Sequence, residues 1–119
     1  MAFNENLASR IRERLAEIPN IEENAMMGGL SFMVNDKMCV GIIKDEMMCR
    51  IDPELQEKVL EMRGCRMMDF TKRPMKGYVL IDDSGMKTNQ EFDYWINLAL
   101  DFNKYAKSSK RKKKTNSSN

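Results

Sequence analysis

"AMMGGLSFMVNDKMCVGIIKDEMMCRI", residues 25–51, is a set of short apolar runs cut by turn-forming residues. The runs at 30–34, 38–43 and 47–51 have the length of strands, not of helices. Asn35-Asp36-Lys37 and Lys44-Asp45-Glu46 separate them, breaks so short that neighbouring strands must pair antiparallel. Gly28-Gly29 ahead of the first run marks a bend, a bulge or a close backbone approach. A glycine pair can also cradle phosphate, but neither GxGxxG nor GxxxxGK[ST] is present, so the bend is the better reading.

Helical signals flank this block. Upstream, Leu7, Ile11, Leu15 and Ile18 recur at helical spacing, with Asn4 as N-cap and Pro19-Asn20 as the stop. The opposite face carries Arg10, Arg12, Glu13, Arg14 and Glu17 and reads as solvated. Downstream, Asp52-Pro53 opens a second helix with Leu55, Val59 and Met62 facing inward and Gly64 beyond its end. "RMMDF" (66–70) reads as a short strand, and 78–81 as another, closed by the turn Asp82-Asp83-Ser84-Gly85. Thr88-Asn89-Gln90-Glu91 matches a capping box and launches a last helix with Phe92, Trp95, Ile96, Ala99 and Leu100 on one face. The order α-β-β-β-α-β(β)-α predicts an α+β domain of two layers, a mostly antiparallel sheet with helices packed on one face.

Composition limits the chemistry. The chain has 119 residues, enough for one domain, and no apolar run long enough to span a bilayer. Its N-terminus lacks the apolar stretch of a signal peptide, and a cytoplasmic setting is expected. Histidine is absent, which excludes Ser-His and Cys-His nucleophile pairs. Three cysteines, Cys39, Cys49 and Cys65, show no CxxC spacing; they read as packed thiols, with no metal, no cofactor and no disulfide framework expected. Twelve methionines include the pairs Met26-Met27, Met47-Met48 and Met67-Met68. Thioethers can ligate Cu(I), but adjacent strand residues point to opposite faces, so such pairs suit core filling better.

Charge is divided unevenly. Residues 107–119, "KSSKRKKKTNSSN", hold six of the twenty cations and no acid, which leaves fourteen cations against eighteen acids in the body. The expected organisation is a domain over residues 1–106 and a disordered basic tail over 107–119. Lys110, Arg111, Lys112, Lys113 and Lys114 are the candidate nucleic-acid contacts, a plain solubilising tail being the alternative. A second cationic group, Lys72, Arg73 and Lys76, lies on a segment stiffened by Pro74. Arg73 suits bracing of the local backbone or a partner contact, and Lys76 is the better candidate for binding a partner. Met75 is expected to pin this segment to the core. Carboxylate chemistry would fall to Asp45, Glu46, Asp82 and Asp83, all in expected turns where solvated charge is the default.

Three blocks in order, "MMGGLSFMVNDKMCVGI" (26–42), "DEMMCRIDPE" (45–54) and "MDFTKRPMKGYVLID" (68–82), resemble the N-terminal domain of the TfoX/Sxy family of bacterial competence regulators. The resemblance covers most of residues 3–105. Met27 stands where the family usually has phenylalanine, and Lys72 where it has glycine, while the basic tail lies outside it. The resemblance implies a stand-alone N-terminal domain with a secretion-chaperone-like fold, lacking the C-terminal helical domain. Two-domain members act in transcription of DNA-uptake genes as co-activators beside a cyclic-AMP-dependent activator. For this chain the implied role is a non-catalytic regulatory module that binds an unknown protein partner, transcription machinery included. The alternatives are a weak sequence-blind DNA or RNA binder acting through the tail, and an enzyme using the carboxylates. Fold alone does not transfer a role.

Overall fold

The computed structural model describes residues 3–26, 28–69 and 74–106. Helix α1 (Glu5–Arg14) leads into strands β1 (Ile21–Met26), β2 (Gly29–Val34), β3 (Lys37–Ile43) and β4 (Glu46–Arg50). A 3-10 turn (Pro53–Leu55) runs into the short helix α2 (Gln56–Val59). Strands β5 (Cys65–Asp69) and β6 (Pro74–Ile81), a second 3-10 turn (Asp83–Gly85) and helix α3 (Asn89–Asn103) complete the described chain.

The local signals act as the residue types dictate. Asn4 caps α1 by accepting the Leu7 N–H at 3.0 Å. Asp52 caps the first 3-10 turn, with Pro53 inside it. Thr88 and Glu91 close a reciprocal capping box on α3, each accepting the other's backbone N–H at 3.0 Å. Asn35 and Asp36 both take positive φ (55° and 66°), the conformation a two-residue hairpin needs, and short polar side chains tolerate it. Gly64 does take positive φ (78°), but α2 ends at Val59 with Leu60 as its C-cap, so Gly64 lies four residues past the cap and is not the C′ glycine expected from the sequence.

The six strands form one antiparallel sheet in the order β1-β2-β3-β4-β6-β5. All three helices contribute to one buried cluster with the inner face of this sheet. Leu7 and Ile11 of α1, Val59 of α2, and Phe92, Trp95, Ile96 and Ala99 of α3 meet Phe32, Val40, Ile42, Met47, Val79 and Ile81 there. Each fully buried large side chain contributes about 1.5–3 kcal/mol of transfer free energy. Met47 and Met48 divide between the two faces: Met47 joins the helix-covered core, and Met48 joins a smaller cluster with Met68 and Leu80 on the other side. The methionine pair is thus core filling on both faces, as strand alternation requires.

Three further sequence readings change. Strand β1 is additional. It pairs with β2 from Ile21↔Val34 to Met26↔Gly29, and its residues 22–25 are exposed, so no alternating apolar pattern announces it. Helix α1 ends at Arg14, and Ile18 reaches the core from the loop. Met62 is 39 % exposed, because α2 stops at Val59 and the helical period does not extend to it.

Candidate functional site: the cationic bulge of strand β6

Strand β6 is irregular around Lys76, the one member of the second cationic group among the described residues. Between the pairs Met67↔Val79 and Asp69↔Pro74, β5 advances two residues and β6 advances five. Three extra β6 residues therefore bulge from the ladder, a device that re-aims side chains. Lys76 lies in this bulge and is exposed, with no hydrogen bond or ion pair to any described residue.

The bulge is held from behind by Gly77. Its φ is 89°, a region that costs glycine little. A Cβ at this position would meet the Ile51 carbonyl oxygen at 3.2 Å and Pro53 at 3.3 Å, so the absent side chain permits the close approach. Ile51 N–H donates to the Gly77 carbonyl at 2.8 Å. Gly77 N–H donates to Oε1 of Gln56, a buried side chain on α2. Gln56 is the functional residue the sequence reading missed. A single glutamine in a four-residue helix carries no periodic signal, and only the fold shows that it satisfies a bulged N–H.

Beside Lys76, Tyr78 pairs across the ladder with Arg50. The Arg50 guanidinium lies 5.6 Å from the Tyr78 ring centroid and 6.0 Å from that of Phe102 on α3. Cation–π attraction of this kind contributes about 0.5–2 kcal/mol. The result is a rigid strand end that presents one projecting ammonium next to a half-buried tyrosine. Such a surface can bind a carboxylate or phosphate group on a partner. Arg73, Lys72 and the tail cations Lys110, Arg111, Lys112, Lys113 and Lys114 lie outside the described residues, as does the side chain of Met75.

The four carboxylates considered for catalysis are each engaged by a donor or cation, and Arg66, which is bonded to Glu46, also acts electrostatically on Asp82. Asp45 accepts from Asn4 Nδ2 at 3.3 Å, and Glu46 takes both arms of the Arg66 guanidinium. Asp82 accepts the Ser84 hydroxyl at 2.6 Å and the Ser84 N–H at 2.9 Å, which hold its pKa below the ordinary value. Asp83 pairs with Lys87 at 3.6 Å. Among the described residues no group of three or more His, Cys, Asp or Glu could hold a metal ion, and no helix is long and apolar enough to cross a membrane.

No curated protein and no solved structure matches this chain. A family model described as the TfoX N-terminal domain matches residues 13–103, which include every strand and all of α3. The chain therefore belongs to the TfoX N-terminal domain family.

Proposed function

We propose that this domain is a non-catalytic regulatory module that works by binding another protein, with Lys76 as the principal contact and Arg73 beside it in sequence. Family membership is the observation that carries this reading, because it ties the chain to competence-regulator-like domains. The occupied carboxylates add support, since the acids considered for catalysis serve caps, turns and ion pairs. The partner belongs to the transcription machinery of the cytoplasm and offers an acidic group to Lys76. Affinity capture with the full chain and its Lys76→Ala variant tests this. Capture should fall at least about tenfold, the effect of about 1.4 kcal/mol, while the thermal midpoint stays unchanged. Equal capture by the two proteins would remove Lys76 from the interface.

A second reading has its own observation: six cations and no acid in residues 107–119, beside a body in which acids predominate. In this reading Lys110, Arg111, Lys112, Lys113 and Lys114 bind nucleic acid without regard to sequence. With Lys107 the tail has six cations, and neutralising about six phosphates implies a log–log salt slope of about −5. Replacing these five cations by serine should abolish DNA retention, whereas a base-specific footprint that survives would refute it.

A further inference from the structure

Tyr105 is the most exposed large hydrophobic side chain among the described residues, at 79 % against 39 % for Met62 and 37 % for Tyr94. Tyr94 has a ring partner, meeting Trp95 edge-on at 5.3 Å between centroids. No ring pair or cation–π contact among the described residues involves Tyr105. Its place in the chain is specific. Lys107 follows two residues later, and the run from Lys110 to Lys114 begins five residues later. An exposed ring that leads into a run of cations combines the two elements that hold single-stranded nucleic acid. Cations track the phosphates, and the ring stacks on the face of a base.

The backbone that carries this ring is anchored on both sides. Asn103 and Ala106 are buried, at 5 % and 7 % exposure. Asn103 Nδ2 donates to the Val34 carbonyl at 3.2 Å, which ties the end of α3 to strand β2. Tyr105 N–H donates to the Phe102 carbonyl at 2.8 Å, and Ala106 N–H donates to the same oxygen at 3.1 Å. Tyr105 is thus held outward between two buried neighbours before any ligand arrives, which lowers the ordering cost of binding.

The electrostatics at this junction differ from those of an ordinary helix end. A helix C-terminus is negative and repels phosphate. Here Lys37 Nζ lies 3.0 Å from the Asn103 carbonyl oxygen and 3.5 Å from that of Lys104, so an ammonium offsets the negative end. The Lys104 side chain is exposed beside it. The acids near this point are Asp101, one helical turn before Tyr105, and Asp36, adjacent to Lys37; both are exposed. With the excess of acids in the body, they direct a polyanion away from the sheet and along the tail. A duplex suits the ring poorly, because its bases stack on one another and their faces are out of reach.

We propose that the junction of α3 and the tail is a binding site for single-stranded nucleic acid, in which Tyr105 stacks on one base while the tail cations hold the neighbouring phosphates. This rests on the second reading above, in which the tail binds nucleic acid, and adds to it a preference for unpaired bases and the residue that sets it. It is independent of the Lys76 surface.

Fluorescence anisotropy of the full chain with labelled oligothymidylate of about 12 nucleotides, and with an abasic strand of equal phosphate count, tests it. The wild type should bind the strand with bases at least about fivefold more tightly than the abasic one. The log–log salt slope on either strand should be about −4, since six cations act on a single strand. Tyr105→Ala should bind both strands equally, with an unchanged salt slope, unchanged duplex binding and an unchanged melting curve. Tyr105→Phe should keep the preference, because the ring is retained. Equal binding of the two strands by the wild type, or a preference that survives in Tyr105→Ala, would overturn the proposal and leave the tail reading standing. Binding of neither strand would remove the tail reading and this proposal together.

Discussion

Gln56 satisfies the backbone N–H of Gly77 through its side-chain oxygen, a buried bond between α2 and the β6 bulge across 21 residues of sequence. Without it, the bulged N–H would face the interior unpaired. Gln56→Leu should therefore cost about 1–3 kcal/mol, despite adding an apolar group to a buried position. Urea unfolding of the variant measures this directly. An unchanged midpoint would mean that the bulge relaxes to find another acceptor.

Gly64 and Gly85 are placed back to back. A Cβ on Gly64 would lie 2.6 Å from the Gly85 backbone nitrogen, and one on Gly85 would lie 2.5 Å from the Arg63 oxygen. Backbone cannot yield as a flexible side chain can, so Gly64→Ala and Gly85→Ala should each destabilise by about 1–3 kcal/mol or more. Gly28 provides the contrast: it has positive φ (74°) but nothing within 4 Å of its absent Cβ. Gly28→Asn should cost less than either, because asparagine tolerates the left-handed region. The reverse ranking by thermal denaturation would contradict this packing.

Three carboxyls link stability to acid: Glu23, Asp82 and Glu91, the last held below its ordinary value by the Thr88 backbone N–H. The Arg12 guanidinium, bonded to Glu23 at 2.8 and 2.9 Å, holds the Glu23 pKa below its ordinary value, and the Ser84 hydroxyl does the same for Asp82. A carboxyl whose folded value is depressed stabilises the fold above its unfolded pKa and loses that contribution as pH falls through the folded one. The thermal midpoint should thus decline below the ordinary carboxylate range. Arg12→Gln should flatten part of that decline, and salt should shrink the difference because the pair is exposed. An identical acid profile in the variant would assign the decline to other groups.

The cysteines set an alkaline limit. Burial pushes the Cys39 thiol up to about 12 and the Cys65 thiol to about 11, and raises Cys49 well above its usual value. A raised folded value means that the stabilisation is complete below the unfolded pKa, near 9.0, and is lost as pH climbs toward 11–12. Half-buried Cys65 should be alkylated first in the native protein, with Cys39 and Cys49 protected until it unfolds. Peptide mapping that finds Cys39 or Cys49 modified ahead of Cys65 would contradict the buried placement.

The sequence shows its fold where periodicity meets a boundary residue. The hairpin turn at Asn35-Asp36, the Asn4 cap and the Thr88–Glu91 capping box all coincide with apolar runs and are legible for that reason. Strand β1 is not, because Glu22, Glu23, Asn24 and Ala25 face solvent at a sheet edge, where charge discourages further pairing. Met62 misleads because periodicity continues in the sequence after α2 has ended. At the candidate site Lys76 is legible as a cation near proline and glycine. The bulge that projects it is not, since it depends on a register offset and on Gln56 from another element.

The central claim is that Lys76 is part of a protein-binding surface. A photo-crosslinking residue placed at position 76 of the full chain, in native cytoplasm, tests it most directly, with the same residue at exposed Glu17 as the control. One protein should be trapped from position 76 and not from position 17. That protein, once purified, should bind the wild type and lose at least about tenfold in affinity, about 1.4 kcal/mol, for Lys76→Ala. Trapping of the same proteins from both positions, or equal binding by the wild type and Lys76→Ala, would contradict the account.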